Sequence, residues 1–513
     1  MFKTNFSDKK RYFALTLIYI VLIVLFSFRA LSDDNEGLYA NIALNMLKTS
    51  NFLVPHLDGL VYLEQPPLLY WLSTLSLKLF GISEFSVRLP VILAGVLLVI
   101  FSYFFVKKFL NSFFASTLAV VIVSQICFDT SISMLMFDML LTLFFSLAMF
   151  SFYMGYKLNN KYYRLFYIFL ALAIFTKGFV SLVLAFLILT PFIAIKKIKL
   201  KDLHLMFGFF VFLILSIWFV IVSIKIPSFF YYYFINNQVL RFLGKMYPND
   251  TIKGPVYFYV IRLLGCDFPW SLLSIFAIYK LIKLKLYKDD FNLYMLLWFF
   301  AIFIFFSLSS GKANYYLLPA IFPIAYFATY TIFNANLKPF YYVLLVAGFL
   351  LLSGSILAKL GYIRFTDNAY IEKLPLIELS FAIFIIYFFA FYKKNFLVES
   401  IALSNIVILI SIYLYFSLNV NNFSSKYNIV VSYSDSDYVT VSYVQNAEIN
   451  GELFRSDYFY GSGFIYISSF RDSNLIYGNY NGFILLPFNI IGVGLLILFM
   501  YITSYYFRKK VKY

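Results

Sequence analysis

Charge is scarce in this sequence. Only 13% of its 513 residues are Asp, Glu, Lys or Arg, while 62% are hydrophobic; a soluble domain carries about 25% charged residues. A water-soluble fold of this length has too little interior to hide so much apolar surface, so soluble classes are excluded. Histidine and cysteine are scarcer still. His56 and His204 are far apart, which removes any HExxH-type zinc motif. Cys127 and Cys266 both sit in apolar runs and form neither a disulfide framework nor a CxxC metal site. No GxGxxG or Walker pattern occurs, so no nucleotide-binding loop is expected. Acids are also in deficit, 24 against 41 Lys and Arg, for a net charge of +17. In a chain this apolar, such an excess reads as membrane orientation and not as nucleic-acid binding.

Long apolar runs are abundant. A bilayer core takes roughly 20 apolar residues per helix, and runs that fit lie at 12–30, 87–106, 112–128, 132–155, 162–177, 179–195, 205–225, 257–281, 291–308, 313–333, 339–358, 376–392, 398–418 and 484–507. The stretch from Leu165 to Ile195 is too long for one helix and is expected to turn back at Lys177-Gly178. The first run is too long for a signal-peptide core and lacks a small-residue cleavage site, so it counts as a span. With the N-terminus inside, alternation gives every inner connection a basic character, from Lys107-Lys108 and Lys157/Lys161/Arg164 to Lys393-Lys394 and Arg508/Lys509/Lys510. About 24 basic residues then lie inside against about 5 acids, as the positive-inside rule requires. The expected fold is an all-α polytopic membrane protein of about 13–14 transmembrane helices. It divides into a membrane domain at 1–418, a small outer module at 419–483, and a last span with a basic inner tail at 484–513.

The first outer loop, 31–86, is long enough to be functional. Residues 35–48 place Leu38, Ile42 and Met46 on one side and Asn41, Asn45 and Lys48 on the other, the pattern of an amphipathic helix at a membrane surface. A second helix is expected from Pro66-Pro67 to Gly81, between a proline start and a glycine stop. Asp33, Asp34 and Glu36 precede the first of these helices. They read either as a capping box or as a carboxylate group at the membrane surface that positions a nucleophile or a metal. In the outer module, alternation at 429–433 and 438–443 predicts short strands, with turns at Gly451, Gly461 and Gly463.

Several motifs recur in order. They are Asn35-Glu36-Gly37-Leu38-Tyr39-Ala40, Val54-Pro55-His56-Leu57-Asp58-Gly59, Tyr62-Leu63-Glu64-Gln65-Pro66-Pro67-Leu68, Arg88-Leu89-Pro90, Phe137-Asp138-Met139, Thr176-Lys177-Gly178, Arg241-Phe242-Leu243, Phe268-Pro269-Trp270 and Ser310-Gly311-Lys312 through Pro319. Together they resemble the bacterial aminoarabinose lipid A transferase group of the dolichyl-phosphate-mannose protein mannosyltransferase superfamily. The resemblance covers roughly residues 10–335. It departs at Asn35, where the group has an acid (here Asp34 lies one place earlier), and at Gln65, where the group has Lys. The resemblance implies a glycosyltransferase in the bacterial inner membrane with its site facing the periplasm. The donor would be a sugar on undecaprenyl phosphate and the acceptor lipid A, with a protein or another surface glycan as the alternative.

The alternating topology places Glu36, Glu64, Arg88, Asp138, Lys177, Arg241 and Lys312 at the outer boundary, where charges are expensive and usually functional. A departing phosphate calls for Arg and Lys. Lys312 and Arg241 are the first candidates and Lys177 and Arg88 the second, each with a snorkelling interfacial role as its alternative. A hydroxyl acceptor needs a base, for which the carboxylates Glu36 and Asp34 qualify; a phosphate acceptor needs none. Asp138 is a further catalytic candidate, and with Glu64 it could hold a divalent metal through oxygen ligands. His56 could join them, though a lone loop histidine more often has a structural role. Arg262 and Asp267 either pair or face the cavity. The competing class, a transporter, predicts internal repeats and midplane polar groups, and the sequence shows no repeat between its halves.

Overall fold

The computed structural model describes residues 6–29, 31, 35–57, 60–246, 253–359, 376–393, 396–425, 446–449 and 452–455. The expected strands at 429–433 and 438–443, the last predicted span and Asp34 lie outside the described residues. The other thirteen predicted spans all coincide with helices or helix pairs. In chain order these are α1 (Phe6–Phe26), α4 (Glu84–Phe109), α5 and α6 (Ser112–Val123 and Ile126–Ile132), α7 (Phe137–Lys157), α8 (Tyr162–Lys177), α9 (Val180–Lys196), α10 (Leu205–Lys225), α12 and α13 (Phe258–Cys266 and Trp270–Lys283), α14 (Asp290–Leu308), α15 (Ile321–Asn334), α16 (Lys338–Lys359), α17 (Leu376–Lys393) and α18 (Leu397–Ser425). Among the described residues, α4, α7, α10, α14, α16 and α17 are each long and apolar enough to cross a membrane. The pair α5–α6, bent by 66°, and the pair α12–α13, bent by 118°, bring the total to eight. The chain is a multi-pass membrane protein.

Local chemistry explains where the helices begin and turn. The side chain of Ser83 accepts from the Ser86 N–H and starts α4, whose last turn carries Lys107 and Lys108 against its negative dipole end. Asn111 caps α5 through the Phe114 N–H and Asp289 caps α14 through the Asn292 N–H. The chain reverses after Lys177 as expected. Gly178 takes φ +95°, a left-handed value that a side chain resists, and its N–H donates to the Ile174 carbonyl.

Two expectations need correction. The outer-loop helix, α2 (Asn35–Thr49), is no surface helix with a solvated face. Residues 36–44 are all buried, Asn41 included, because α2 is packed under α3 (Leu68–Phe80) and α4. It is α3 that turns Leu75, Leu79 and Phe80 outward. Second, the turn expected near 129–131 is helical and belongs to α6; the break comes earlier, at Ser124-Gln125. Side chains take up the groups this break releases. Asn405 donates to the Ser124 carbonyl at 2.5 Å, and the Trp270 indole N–H reaches the Ser124 hydroxyl at 3.0 Å.

Polar contacts join the ends that alternation assigns to one side. Lys9 donates to Ser112, Arg11 pairs with Glu399 at 3.4 Å, Lys280 donates to the Asn334 carbonyl, and Lys157 and Lys196 both pair with Asp290. At the opposite ends lie a short hairpin, β1 (His56–Leu57) with β2 (Leu60–Val61), and α11 (Ser228–Phe230) running into a π-helix at Tyr231–Leu240. Within 419–483, residues 419–425 continue α18, and the other described residues form one antiparallel hairpin, β3 (Asn446–Ile449) with β4 (Glu452–Arg455).

Close packing between α4 and α6 has a single-residue signature. A Cβ on Gly95 would collide with the Ile132 side chain. Gly95→Val is therefore expected to destabilise the protein by about 1–3 kcal/mol through overpacking. The melting temperature of the detergent-solubilised variant measures this; an unchanged value would contradict the α4–α6 contact.

Candidate active site

Among the described residues the most enclosed charged side chain is Arg88, with no exposed surface. It sits in the first turns of α4 and faces Glu36 of α2, itself 2% exposed. Arg88 Nε donates to Glu36 Oε1 at 2.8 Å and Nη2 to Oε2 at 3.0 Å, a bidentate fork. Its Nη1 donates to the carbonyls of Ser27 and Arg29. Arg29 adds a second guanidinium 3.0 Å from Glu36 Oε2, and the Leu135 N–H donates to Oε1 at 2.8 Å. Glu36 is thus engaged on both oxygens by two cations and an amide. Arg88, the second-choice phosphate ligand, is fully enclosed in this pair.

A second cluster forms around Tyr39, one turn further along α2. Asp138, in the first turn of α7 and 2% exposed, accepts from Lys177 Nζ at 2.5 Å. That ammonium also lies 4.9 Å over the Tyr315 ring and 5.0 Å over the Tyr316 ring, so one carboxylate and two aromatic faces hold it. Glu64 accepts from the Tyr62 hydroxyl at 3.0 Å and from Tyr232 at 3.5 Å, and its carbonyl takes the Asn237 amide. Asn237 in turn accepts from Arg241 Nη1 at 3.0 Å. Burial pushes the Tyr39 phenol up, the charges of Glu64 and Asp138 push it further, and Arg241 pulls it back. Tyr315 lies within electrostatic reach of Asp138, Tyr39 and Arg241. Glu64, Asp138, Lys177 and Arg241 are therefore brought together at one end of the helices.

Lys312 takes a different position. It is 5% exposed, and its ammonium donates to the Phe306 and Ser307 carbonyls at 3.0 and 2.8 Å, capping the C-terminus of α14. Its Nζ lies 5.3 Å over the Tyr259 ring, and burial pulls its pKa down. The chain crosses it at Gly254, where a Cβ would meet Lys312 Cγ at 2.9 Å. Lys312 adjoins the Arg241 segment through the Ser310 N–H, which donates to the Phe242 carbonyl.

The remaining candidates resolve simply. The His56 ring is tied to the Val54 carbonyl at 2.8 Å. Arg262 lies over the Phe258 ring and makes no ion pair with Asp267 among the described residues. No group of three or more His, Cys, Asp or Glu capable of holding a metal occurs among the described residues. With Asp138 already neutralised by Lys177 and Glu64 accepting from two tyrosines, these two carboxylates do not make a built divalent-metal site. Sequence reasoning missed Arg29, Asn237 and the aromatic lining of Tyr39, Tyr62, Tyr232, Tyr315 and Tyr316. The adjacent tyrosines three residues after Lys312 were a signal for the lining; Arg29, at the end of an apolar run beside a group of acids, was a signal for the pair.

Residues 64–221 match the family model described as dolichyl-phosphate-mannose-protein mannosyltransferase. The undecaprenyl phosphate-α-4-amino-4-deoxy-L-arabinose arabinosyl transferase of Wigglesworthia glossinidia brevipalpis is 29% identical over 339 residues, which are 64% of this chain and 59% of that protein. The corresponding transferase 1 of Proteus mirabilis is 31% identical over 337 residues, 63% of this chain and 59% of that protein. The crystal structure of ArnT from Cupriavidus metallidurans bound to undecaprenyl phosphate superposes with a TM-score of 0.70 at 20% identity, covering 82% of this chain and 78% of that one. The chain is similar to these transferases over about three fifths of its length and shares the polytopic fold of the ArnT structure. It spans about three fifths of the length of the named relatives it matches.

The enclosed pair carries a direct prediction. Glu36→Gln leaves two buried guanidiniums against one neutral amide, and it is expected to cost about 3–5 kcal/mol of stability. The Glu36→Gln/Arg88→Met double variant should recover part of that loss. Thermal unfolding of the purified proteins tests this, and a Glu36→Gln variant as stable as the parent would overturn the pairing; a helix-capping role alone would have left Gln nearly silent.

Proposed function

We propose that this protein is a glycosyltransferase that moves a single sugar from a polyprenyl phosphate, undecaprenyl phosphate by similarity to its relatives, to lipid A at the periplasmic face of the inner membrane. The carrying observation is the cluster in which Lys177 and Arg241 stand with Asp138, Glu64 and an aromatic wall, in a fold shared with a protein crystallised on undecaprenyl phosphate. The names of the relatives supply the sugar-transfer reading, and the basic inner connections supply the orientation.

In this reading the donor phosphate is met by Arg241, which offers a planar fork, and by Lys177, a point charge aimed by Asp138 and the two tyrosine faces. When the glycosidic bond breaks, the phosphate gains negative charge, and cations held in place stabilise that charge without reorganising. Lys312 reaches the phosphate only by giving up the α14 carbonyls, so its first contribution is to hold the 309–317 loop. Glu36 does not act as the base, because its lone pairs are committed to Arg88, Arg29 and the Leu135 N–H. Deprotonation then falls to Asp34, or is unnecessary where the acceptor is itself a phosphate. No step requires a metal or a nucleotide.

The family model's description favours a second acceptor, a protein hydroxyl. Purified protein given a polyprenyl-phosphate sugar, with lipid A or with Ser/Thr peptides, separates the two by mass spectrometry. Sugar on lipid A is the expected result. Sugar on peptide alone replaces lipid A with the second acceptor, and product on neither overturns the transferase reading. Arg241→Ala and Lys177→Ala are each expected to lower kcat about 100- to 1000-fold. Lys312→Met should lower the melting temperature with a smaller effect on kcat. Equal loss of kcat in all three variants would move Lys312 onto the phosphate.

A further inference from the structure

The break between α5 and α6 holds a polar group that the proposed reaction does not use. Asp129 of α6 is 1% exposed, yet neither carboxylate oxygen has a hydrogen-bond partner among the described residues. One helical turn earlier lies Gln125, fully buried; its amide N–H donates to the Val121 carbonyl and its Oε1 has no partner. Asn405 of α18, also fully buried, donates to the Ser124 carbonyl at 2.5 Å, which fixes it against the same break and leaves its Oδ1 without a partner. Four buried acceptor oxygens on three side chains thus flank the break: Gln125 stands in it, Asp129 lies one turn into α6, and Asn405 is bonded to it from α18.

The charged groups around them do not supply what is missing. Arg29, on the neighbouring chain turn, pairs with Glu36 and donates to the Ser133 carbonyl. The Tyr19 hydroxyl of α1, within electrostatic reach of Asp129, donates to the Ala402 carbonyl of α18. An ionised carboxylate without a partner is not tolerated in an apolar interior. A proton would cancel the charge but provide one donor for several acceptors. A water would provide donors and leave the charge. A cation does both, and acceptor-only oxygen sets of carboxylate and amide are the chemistry of a hard cation. One net negative charge with two neutral amides matches a single positive charge; a divalent ion would leave a buried excess. A broken membrane helix with polar groups at the break is also a general way to hold such ions, and the C-terminal end of α5 has the dipole sign that favours one.

We propose that the α5–α6 break is a monovalent-cation site, taking a sodium-sized ion on the side-chain oxygens of Asp129, Gln125 and Asn405. A cavity bordered by Arg29, Thr130, Ser133 and Tyr413 adjoins α6 at Thr130, the residue after Asp129; the three proposed ligands do not line it. The site braces α6, and α6 leads to Ser133 and Leu135, which bond to Arg29 and Glu36.

The test is the melting temperature of the purified full-length protein as NaCl replaces N-methyl-D-glucamine chloride at constant ionic strength, with parallel KCl and LiCl series. The parent is expected to gain stability saturably with sodium. Asn405→Ala and Gln125→Leu should each shift the sodium midpoint by at least about tenfold, by analogy with the loss of one supporting group at a metal site. Asp129→Asn should remove the dependence altogether; if it does not fold, the other two variants carry the test. Identical melting curves in sodium and N-methyl-D-glucamine overturn the proposal, as does stability that follows pH and ignores sodium, which would assign a proton to Asp129. Unaltered sodium midpoints in Asn405→Ala and Gln125→Leu overturn the assigned ligands.

Discussion

A charge placed among apolar helices must be matched where it stands, because no solvent reaches it. The Glu36–Arg88 fork, with Arg29 as its second cation, meets that demand, and much of the outer half is arranged around it. The fork joins the turn after α1, the start of α2 and the first turns of α4, and through the Leu135 N–H it also holds the chain just before α7. Tyr39 follows Glu36 by three residues, and Asp138 follows Leu135 by three. Fixing the ion pair therefore fixes both the phenol and the carboxylate of the neighbouring cluster. The pair thereby positions the members of the neighbouring cluster.

The two ends of the helices treat charge differently. At the basic end, Lys157 and Lys196 share Asp290, and Arg11 meets Glu399, in partly exposed pairs that clamp helix ends together. Pairs of this kind are individually weak. At the other end Glu36, Arg88 and Asp138 are buried, Glu64, Lys177 and Arg241 are half-buried, and tyrosine rings line the space around Lys177 and Glu64. Under the proposed function the difference follows from what each end must do: one end meets water and anchors the spans, and the other would exclude water from the donor phosphate.

The spans were legible because hydropathy and loop charge test each other: a wrong span count breaks the alternation of basic connections. The turn at Lys177-Gly178 was legible for the same reason. The break at Ser124-Gln125 was not. The apolar run continues through it, and the groups that make it tolerable, Trp270 and Asn405, come from distant parts of the chain. Among the site residues, the sequence placed seven charges on one face, and four of them, Glu64, Asp138, Lys177 and Arg241, lie together. Charge type and boundary position say nothing about the direction of the other three. Glu36 and Arg88 point at each other, and Lys312 points back at its own helix. Of the tyrosine wall, the adjacent Tyr315-Tyr316 after Lys312 gave a signal, while Tyr39, Tyr62 and Tyr232 did not stand out in a chain where Tyr and Phe are everywhere.

The pairing within the cluster also bears on turnover. Glu64, Asp138, Lys177 and Arg241 carry two negative and two positive charges, so the cluster at rest is balanced. A donor of the proposed kind is a phosphodiester with one negative charge, and the phosphomonoester it leaves behind carries more. An all-cationic pocket would bind that product more tightly than the donor and release it slowly. In a balanced pocket, the product must compete with Asp138 for Lys177 and with Asn237 for Arg241. Each cation thus has an internal partner to return to, and the stabilisation given to the developing charge is partly withdrawn once the product departs. Competition of this kind favours release of the product, and it gives Asp138 a role in the proposed reaction without requiring it to exchange a proton.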